Sequence, residues 1–209
     1  MYAVQLPGRG TRSGHPSITD PRNLIPSLAD LLPIQDPRPF ALFGHSVGAL
    51  LAFETARQLR RTQRRIPDLL ALSALPAPHL DAIASNVSAY LLGGVDGLTT
   101  LLGPIPHELL ADPSRLAAYT PVLADVLLAL QHHHHDEAPL DTTLALYRGD
   151  ADPIAPLDQL AAWNDLVTVP ANPHLFPGGH QYPLEQTPAL LQRLTKDLHA
   201  TTRSAFPAP

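Results

Sequence analysis

The sequence contains no cysteine, and that absence removes a disulfide framework, thiolate metal sites and a cysteine nucleophile together. Covalent catalysis here must use another side chain. The N-terminus, Met1-Tyr2-Ala3-Val4-Gln5-Leu6-Pro7-Gly8, has neither a basic region nor a long apolar run, so it is not a signal peptide or a membrane anchor. A cytoplasmic protein with no membrane partner is expected. A cationic excess is lacking too: with a formal net charge of -5, nothing steers the chain onto phosphates, and nucleic acid is excluded as a partner.

What is present fits one domain, residues 1–209, since 209 residues with 44% hydrophobic and 16% charged content can bury a sizeable core. The 24 prolines reflect coding bias and carry no mechanism. Tyr2 to Leu6 reads as a short buried strand closed by Pro7-Gly8. Asp20 is a candidate N-cap with Pro21 at the first helical position, Leu24, Ile25, Leu28, Leu31 and Leu32 follow at helical spacing, and Pro26 should kink that helix.

Phe40 to Phe43 predicts a second strand and Val47 to Arg61 an amphipathic helix; Leu69 to Leu72 and Leu144 to Tyr147 repeat the strand signal. Strands alternating with helices predict an α/β fold with a mostly parallel, doubly wound sheet. Residues 81–141 hold helical patterns, the longest from Arg115 to Gln131, and read as an insertion without strands. A helix over Pro156 to Leu166, a strand near His174 to Phe176, a helix over Pro188 to Thr201 and a disordered tail from Ser204 to Pro209 complete the expectation.

Gly44-His45-Ser46-Val47-Gly48 matches G-x-S-x-G, a pattern that chance supplies to roughly one chain in fifteen of this length. Its context is more selective. A buried strand leads in and a helix leaves, as a strained turn that lifts a serine oxygen above a sheet requires, and both glycines ease the turn and its packing. At the helix start the Val47 amide is a candidate oxyanion donor.

Serine needs a base, and the base needs a carboxylate, in chain order Ser, Asp, His for this fold. Asp152, in Gly149-Asp150-Ala151-Asp152-Pro153 beyond the third strand signal, is the candidate acid, with Asp150 a close competitor. His180, after Gly178-Gly179, is the candidate base. His132 to His135 invite a metal reading, but consecutive histidines point in different directions, so a solvated run with no metal is expected. Arg60, Arg61, Arg64 and Arg65 read as complementing a helix dipole.

Taken together, Val4-Gln5-Leu6-Pro7-Gly8-Arg9-Gly10 with Arg12, Phe40 to Ser46, Ala77-Pro78-His79-Leu80 and Phe176 to His180 make the chain resemble the type II thioesterases of nonribosomal peptide and polyketide synthases. The resemblance runs nearly end to end. It implies an α/β-hydrolase fold, a Ser46–Asp152–His180 triad and hydrolysis of acyl groups from the phosphopantetheine arm of acyl or peptidyl carrier proteins, with no free cofactor and as a monomer. The insertion would be a lid over the acyl pocket, with Tyr90, Leu91, Leu101, Leu102 and Leu127 lining or covering it.

Members of that family carry a further strand and a glycine-rich loop ahead of the segment matching Met1. The strand lies between those at Tyr2 to Leu6 and Phe40 to Phe43, and its loop supplies the second oxyanion amide. The expectation is therefore a fold lacking its N-terminal strand, with Met1 standing inside a longer natural protein. The alternatives are a noncatalytic remnant that binds carrier domains and a small-ester hydrolase on the same fold.

Overall fold

The computed structural model describes residues 1–32, 36–94, 96, 97, 99 and 119–205. Among them, a five-stranded parallel sheet is built from β1 (Ala41–His45), β2 (Leu69–Ser73), β3 (Leu140–Gly149), β4 (Val167–Val169) and β5 (His174–Phe176). The order is β1-β2-β3, and β4 and β5 lie end to end along the outer edge of β3, pairing Leu140 with Val167 and Tyr147 with His174. Pro170 and Pro173 separate them, because proline cannot donate to a ladder.

β2 shows why the sheet is covered on both faces. Its run Leu-Leu-Ala-Leu-Ser is buried throughout. Leu70 and Leu72 join Leu50, Phe53 and Trp163 on one face, while Leu69 and Ala71 join Tyr182 and Leu190 on the other. A strand alternates its side chains between faces, so a continuous apolar run needs helices on each. Helix α1 (Pro21–Leu31) is capped by the Asp20 carboxylate, which accepts the Arg22 amide at 2.9 Å, and it continues through Pro26. Helix α2 (Val47–Arg61) turns Ala49, Leu50, Phe53 and Ala56 toward the sheet.

The insertion contributes α3 (Ala82–Leu92) and α4 (Thr120–Leu130), which pack on each other, with α4 also packing on α2. Ile83, Val87 and Ala129 reach the core beside α2, and Leu128 packs with Leu24 of α1 and Leu51. Leu101, Leu102 and residues 115–118 of the expected long helix lie outside the described residues, and Leu140 and Asp141 belong to β3. The chain then forms α5 (Leu157–Ala161), a 3-10 turn over Ala162–Leu166, α6 (Tyr182–Glu185) and α7 (Thr187–Ala205). Ser204 is thus helical, and residues 206–209 of the expected tail lie outside the described residues.

One strand expectation is corrected. Tyr2 to Leu6 forms no strand, and Tyr2 and Val4 are exposed at 94% and 57%. The apolar run alone cannot make a strand, because a ladder needs a neighbour, and the free edge of β1 has no strand partner among the described residues. Conversely, β4 was not anticipated. Val167-Thr168-Val169 is a β-branched run, but three residues are too few for periodicity to mark.

Candidate active site

Ser46 sits between β1 and α2 with φ 53 and ψ -127, a left-handed backbone that a β-carbon disfavours. The turn is held by its neighbours: the Ser46 amide donates to the Ser73 carbonyl at 2.8 Å. Glycine is obligatory at 44, where a β-carbon would stand 2.0 Å from the Gly48 carbonyl oxygen. Gly48 differs from expectation, since a β-carbon there meets open space; its backbone is what Gly44 must clear. Val47 opens α2, so its amide lacks an intrahelical partner and lies at the positive end of the helix dipole.

The acid and base arrive on loops at the C-terminal ends of β3 and β5. Their approach is close: a β-carbon on Gly149 would stand 2.3 Å from the carbonyl oxygens of both Gly178 and Gly179, and Gly178 has φ +119. Amides of Asp150 and Ala151 donate to the carbonyls of Phe176 and Gly178 at 2.8 and 3.0 Å, clasping the loops together. The His180 side chain then lies between Ser46 and Asp152, with Nε2 3.0 Å from Ser46 Oγ and Nδ1 3.0 Å from Asp152 Oδ2.

The electrostatics assign the protons. The Asp152 side chain is fully buried; burial pushes its carboxyl up, but His180, the Ile154 amide at 2.9 Å and the Arg148 charge outweigh this and hold it below the usual carboxylate range. An ionised carboxylate can only accept, so Nδ1–H of His180 donates to it and bare Nε2 accepts the Ser46 hydroxyl. Arg148 also donates to the Asp152 carbonyl at 2.7 Å. The competitor Asp150 is not brought to His180: its Oδ1 accepts the Gly178 amide at 3.0 Å.

Elsewhere the structure separates the candidates. Among the described residues no cluster of three or more histidines and carboxylates could hold a metal. The histidine run lies after α4 and alternates: His132 tucks against Glu54 at 3.1 Å and His134 against His79, while His133 and His135 face solvent. The solvated reading thus holds for His133 and His135 and not for His132 and His134, because an extended segment turns alternate side chains inward. The arginines do more than face a dipole: Arg57, Arg60 and Arg61 converge on Glu137, Arg64 pairs with Asp30 and Arg65 with Asp68. Arg9 turns to the insertion, donating to both carboxylate oxygens of Asp125 at 2.7 and 2.9 Å.

A serine raised on a strand-to-helix turn, with an acid and a histidine from later strand ends of the same parallel sheet, defines a protein of the α/β-hydrolase kind. Its family follows from comparison with known proteins. The chain belongs to the thioesterase family, whose Thioesterase domain model matches residues 1–198. It is similar to linear gramicidin dehydrogenase LgrE of Brevibacillus parabrevis, 36% identical over 185 residues that cover 85% of this chain and 69% of that protein.

Solved structures agree. The type II thioesterase BorB from the borrelidin biosynthetic cluster superposes with a TM-score of 0.74 at 29% identity, over 94% of this chain and 78% of that one. YbtT, the type II thioesterase of the yersiniabactin pathway, superposes with a TM-score of 0.78 at 25% identity, over 95% and 81%. Among the described residues no helix is long and apolar enough to cross a membrane.

Proposed function

We propose that this protein is a serine thioesterase that hydrolyses acyl groups from the phosphopantetheine arm of carrier domains in nonribosomal peptide or polyketide synthesis. The observation that carries this is the hydrogen-bonded line Ser46–His180–Asp152 in a chain of the thioesterase family. Ser46 Oγ attacks the thioester carbonyl as its proton passes to His180 Nε2, and the Val47 amide receives the oxyanion. Collapse breaks the C–S bond, and the leaving thiolate takes the proton from His180. Water then attacks the acyl-serine with His180 as base, releasing the acid and restoring Ser46. Asp152 holds the imidazole in its tautomer and stabilises the imidazolium.

The insertion, residues 81–141, would act as the lid over the acyl chain. Two contacts support this: Asn86 of α3 donates to the Ile154 carbonyl at 3.0 Å, and the Tyr90 hydroxyl donates to the Pro153 carbonyl at 3.0 Å. The lid is thereby tied to the loop that carries Asp152. Leu91 packs against the core as lid interior, and Leu127 is 42% exposed on α4. The protein would work as a cytoplasmic monomer, meeting its carrier partner transiently.

Incubation with an acyl-loaded carrier domain tests the proposal. Release of free acid by the wild type and none by Ser46→Ala is the expected result. Equal rates for the two overturn it, and carrier binding without turnover marks a noncatalytic binder instead.

A further inference from the structure

Behind the triad lies a polar chain that the steps above do not use. His45 precedes Ser46 in the nucleophile turn, and its Nδ1 lies 2.9 Å from Ser73 Oγ at the end of β2. Ser73 Oγ lies 2.6 Å from the Tyr182 hydroxyl, on the turn that follows His180. Ser73 and Tyr182 are both fully buried. The His45 ring also packs against the catalytic base, with centroids 5.0 Å apart and planes tilted by 41°, while Tyr182 meets it edge-on at 5.8 Å.

The donors order this chain. Burial pushes the Tyr182 hydroxyl up to about 12, so it keeps its proton and can donate to Ser73 Oγ. In that arrangement the Ser73 hydroxyl donates to Nδ1 of His45 and the ring proton sits on Nε2. That nitrogen is buried with no hydrogen-bond partner.

We propose that His45 is a positioning residue, anchored by Ser73 and Tyr182, whose ring fixes the plane of the His180 imidazole so that it addresses Ser46 and Asp152 together. The inference rests on the triad assignment given above. Burial and the neighbouring His180 hold His45 down to about 3, so its ring stays uncharged when His180 accepts the proton. A charged ring at that distance would oppose the imidazolium; a neutral one packs against it. Each link comes from a different element, β1, β2 and α6, so the chain also locks the His180 loop to the nucleophile turn.

The test is a spectroscopic one that does not depend on turnover. The Nδ1–H proton shared by His180 and Asp152 should resonate far downfield, sharp in the wild type and in Ser46→Ala. In His45→Leu and in Tyr182→Phe, which removes one oxygen and keeps the ring, the signal should broaden or vanish. On an acyl-loaded carrier kcat should fall roughly tenfold to a hundredfold with KM little changed, since small displacements of a catalytic group cost that much. A sharp, unshifted signal in both variants overturns the proposal, whatever happens to turnover. If the wild type fails to release acyl groups while the signal still responds to both variants, the positioning role stands and the thioesterase reading falls.

Discussion

Asp150 Oδ1 accepts the Gly178 amide at 3.0 Å, so this aspartate clasps the loop whose histidine its neighbour Asp152 holds. Two carboxylates two residues apart thus have separate tasks. Asp152→Asn should lower kcat by about 10⁴, the scale seen when a triad carboxylate is lost with the geometry intact. Asp150→Asn keeps an acceptor for Gly178 and should leave kcat within about tenfold, with at most about 1 kcal/mol lost in stability. Steady-state kinetics of the two variants decide between them, and the reverse ranking would reassign the acid.

Ser46 is held in strain. Because Ser46 has φ 53, where a β-carbon is disfavoured at a cost of about 1–3 kcal/mol, Ser46→Gly should abolish turnover yet raise stability by about 1 kcal/mol. Chemical denaturation of wild type and variant measures this. A variant less stable than the wild type would mean that the turn carries no strain.

Arg57 is 2% exposed and pairs with Glu54 at 3.0 Å and Glu137 at 2.7 Å. Replacing it with Met leaves Glu54 beneath the surface with only His132 at 3.1 Å and Arg61 at 3.7 Å as partners. Loss of one member of a buried ion pair costs about 3–5 kcal/mol, which for a chain of this size lowers Tm by roughly 10 °C. Thermal melting should show that drop, and Glu54→Leu added to Arg57→Met should recover part of it.

Acid should destabilise the fold through His45. Its folded value is lowered to about 3 by burial and by the neighbouring His180, whereas the unfolded ring titrates near ~6.5. A depressed folded value means that the unfolded chain binds the proton first. The stability from the neutral buried ring is complete above ~6.5 and is lost as pH falls toward 3, by about 2 kcal/mol at pH ~5. Urea titrations at several pH values should show His45→Phe with a shallower loss across that window; parallel curves would count against the assignment.

The tie between α3 and the loop that carries Asp152 should be felt at Asp152. Asn86 donates to the Ile154 carbonyl and to Gln159, both at 3.0 Å. Asn86→Ala should lower kcat several-fold and stability by about 1–3 kcal/mol by leaving those acceptors unsatisfied, while Tyr90→Phe should act more weakly. Kinetics on carrier-bound and short soluble thioesters can be compared; an equal loss on both places the effect at Asp152 rather than in the acyl pocket.

Much of this fold was legible because its signals are local. The run Leu69 to Leu72, the helix Val47 to Arg61 and the Asp20-Pro21 cap each depend on neighbours in sequence, and each lies where the pattern put it. Where a signal needed a distant partner, it misled or stayed silent. Tyr2 to Leu6 has the apolar content of a strand and, among the described residues, no ladder to join, and Val167 to Val169 joins β3 with only three residues. His132 and His134 turn inward because Glu54 and His79 lie opposite them, a fact of packing that the run of four histidines does not contain.

The site divides in the same way. The residues alone named Ser46, Val47, Asp152 and His180, because a serine on a strand-to-helix turn demands a base and an acid in that chain order. Asp152 and Asp150 could not be separated by sequence, since both follow the same strand; the choice was made by which side chain the Gly149–Gly178 contact turns inward. Ser73 and Tyr182 went unnoticed for a related reason. An apolar strand ending in serine and a tyrosine two places after a histidine are ordinary in sequence, and only the convergence of the ends of β1 and β2 with α6 makes them one hydrogen-bonded chain. Chain order and residue type thus determined the chemistry, whereas tertiary structure decided orientation, because a hydrogen bond depends on distances that only folding sets.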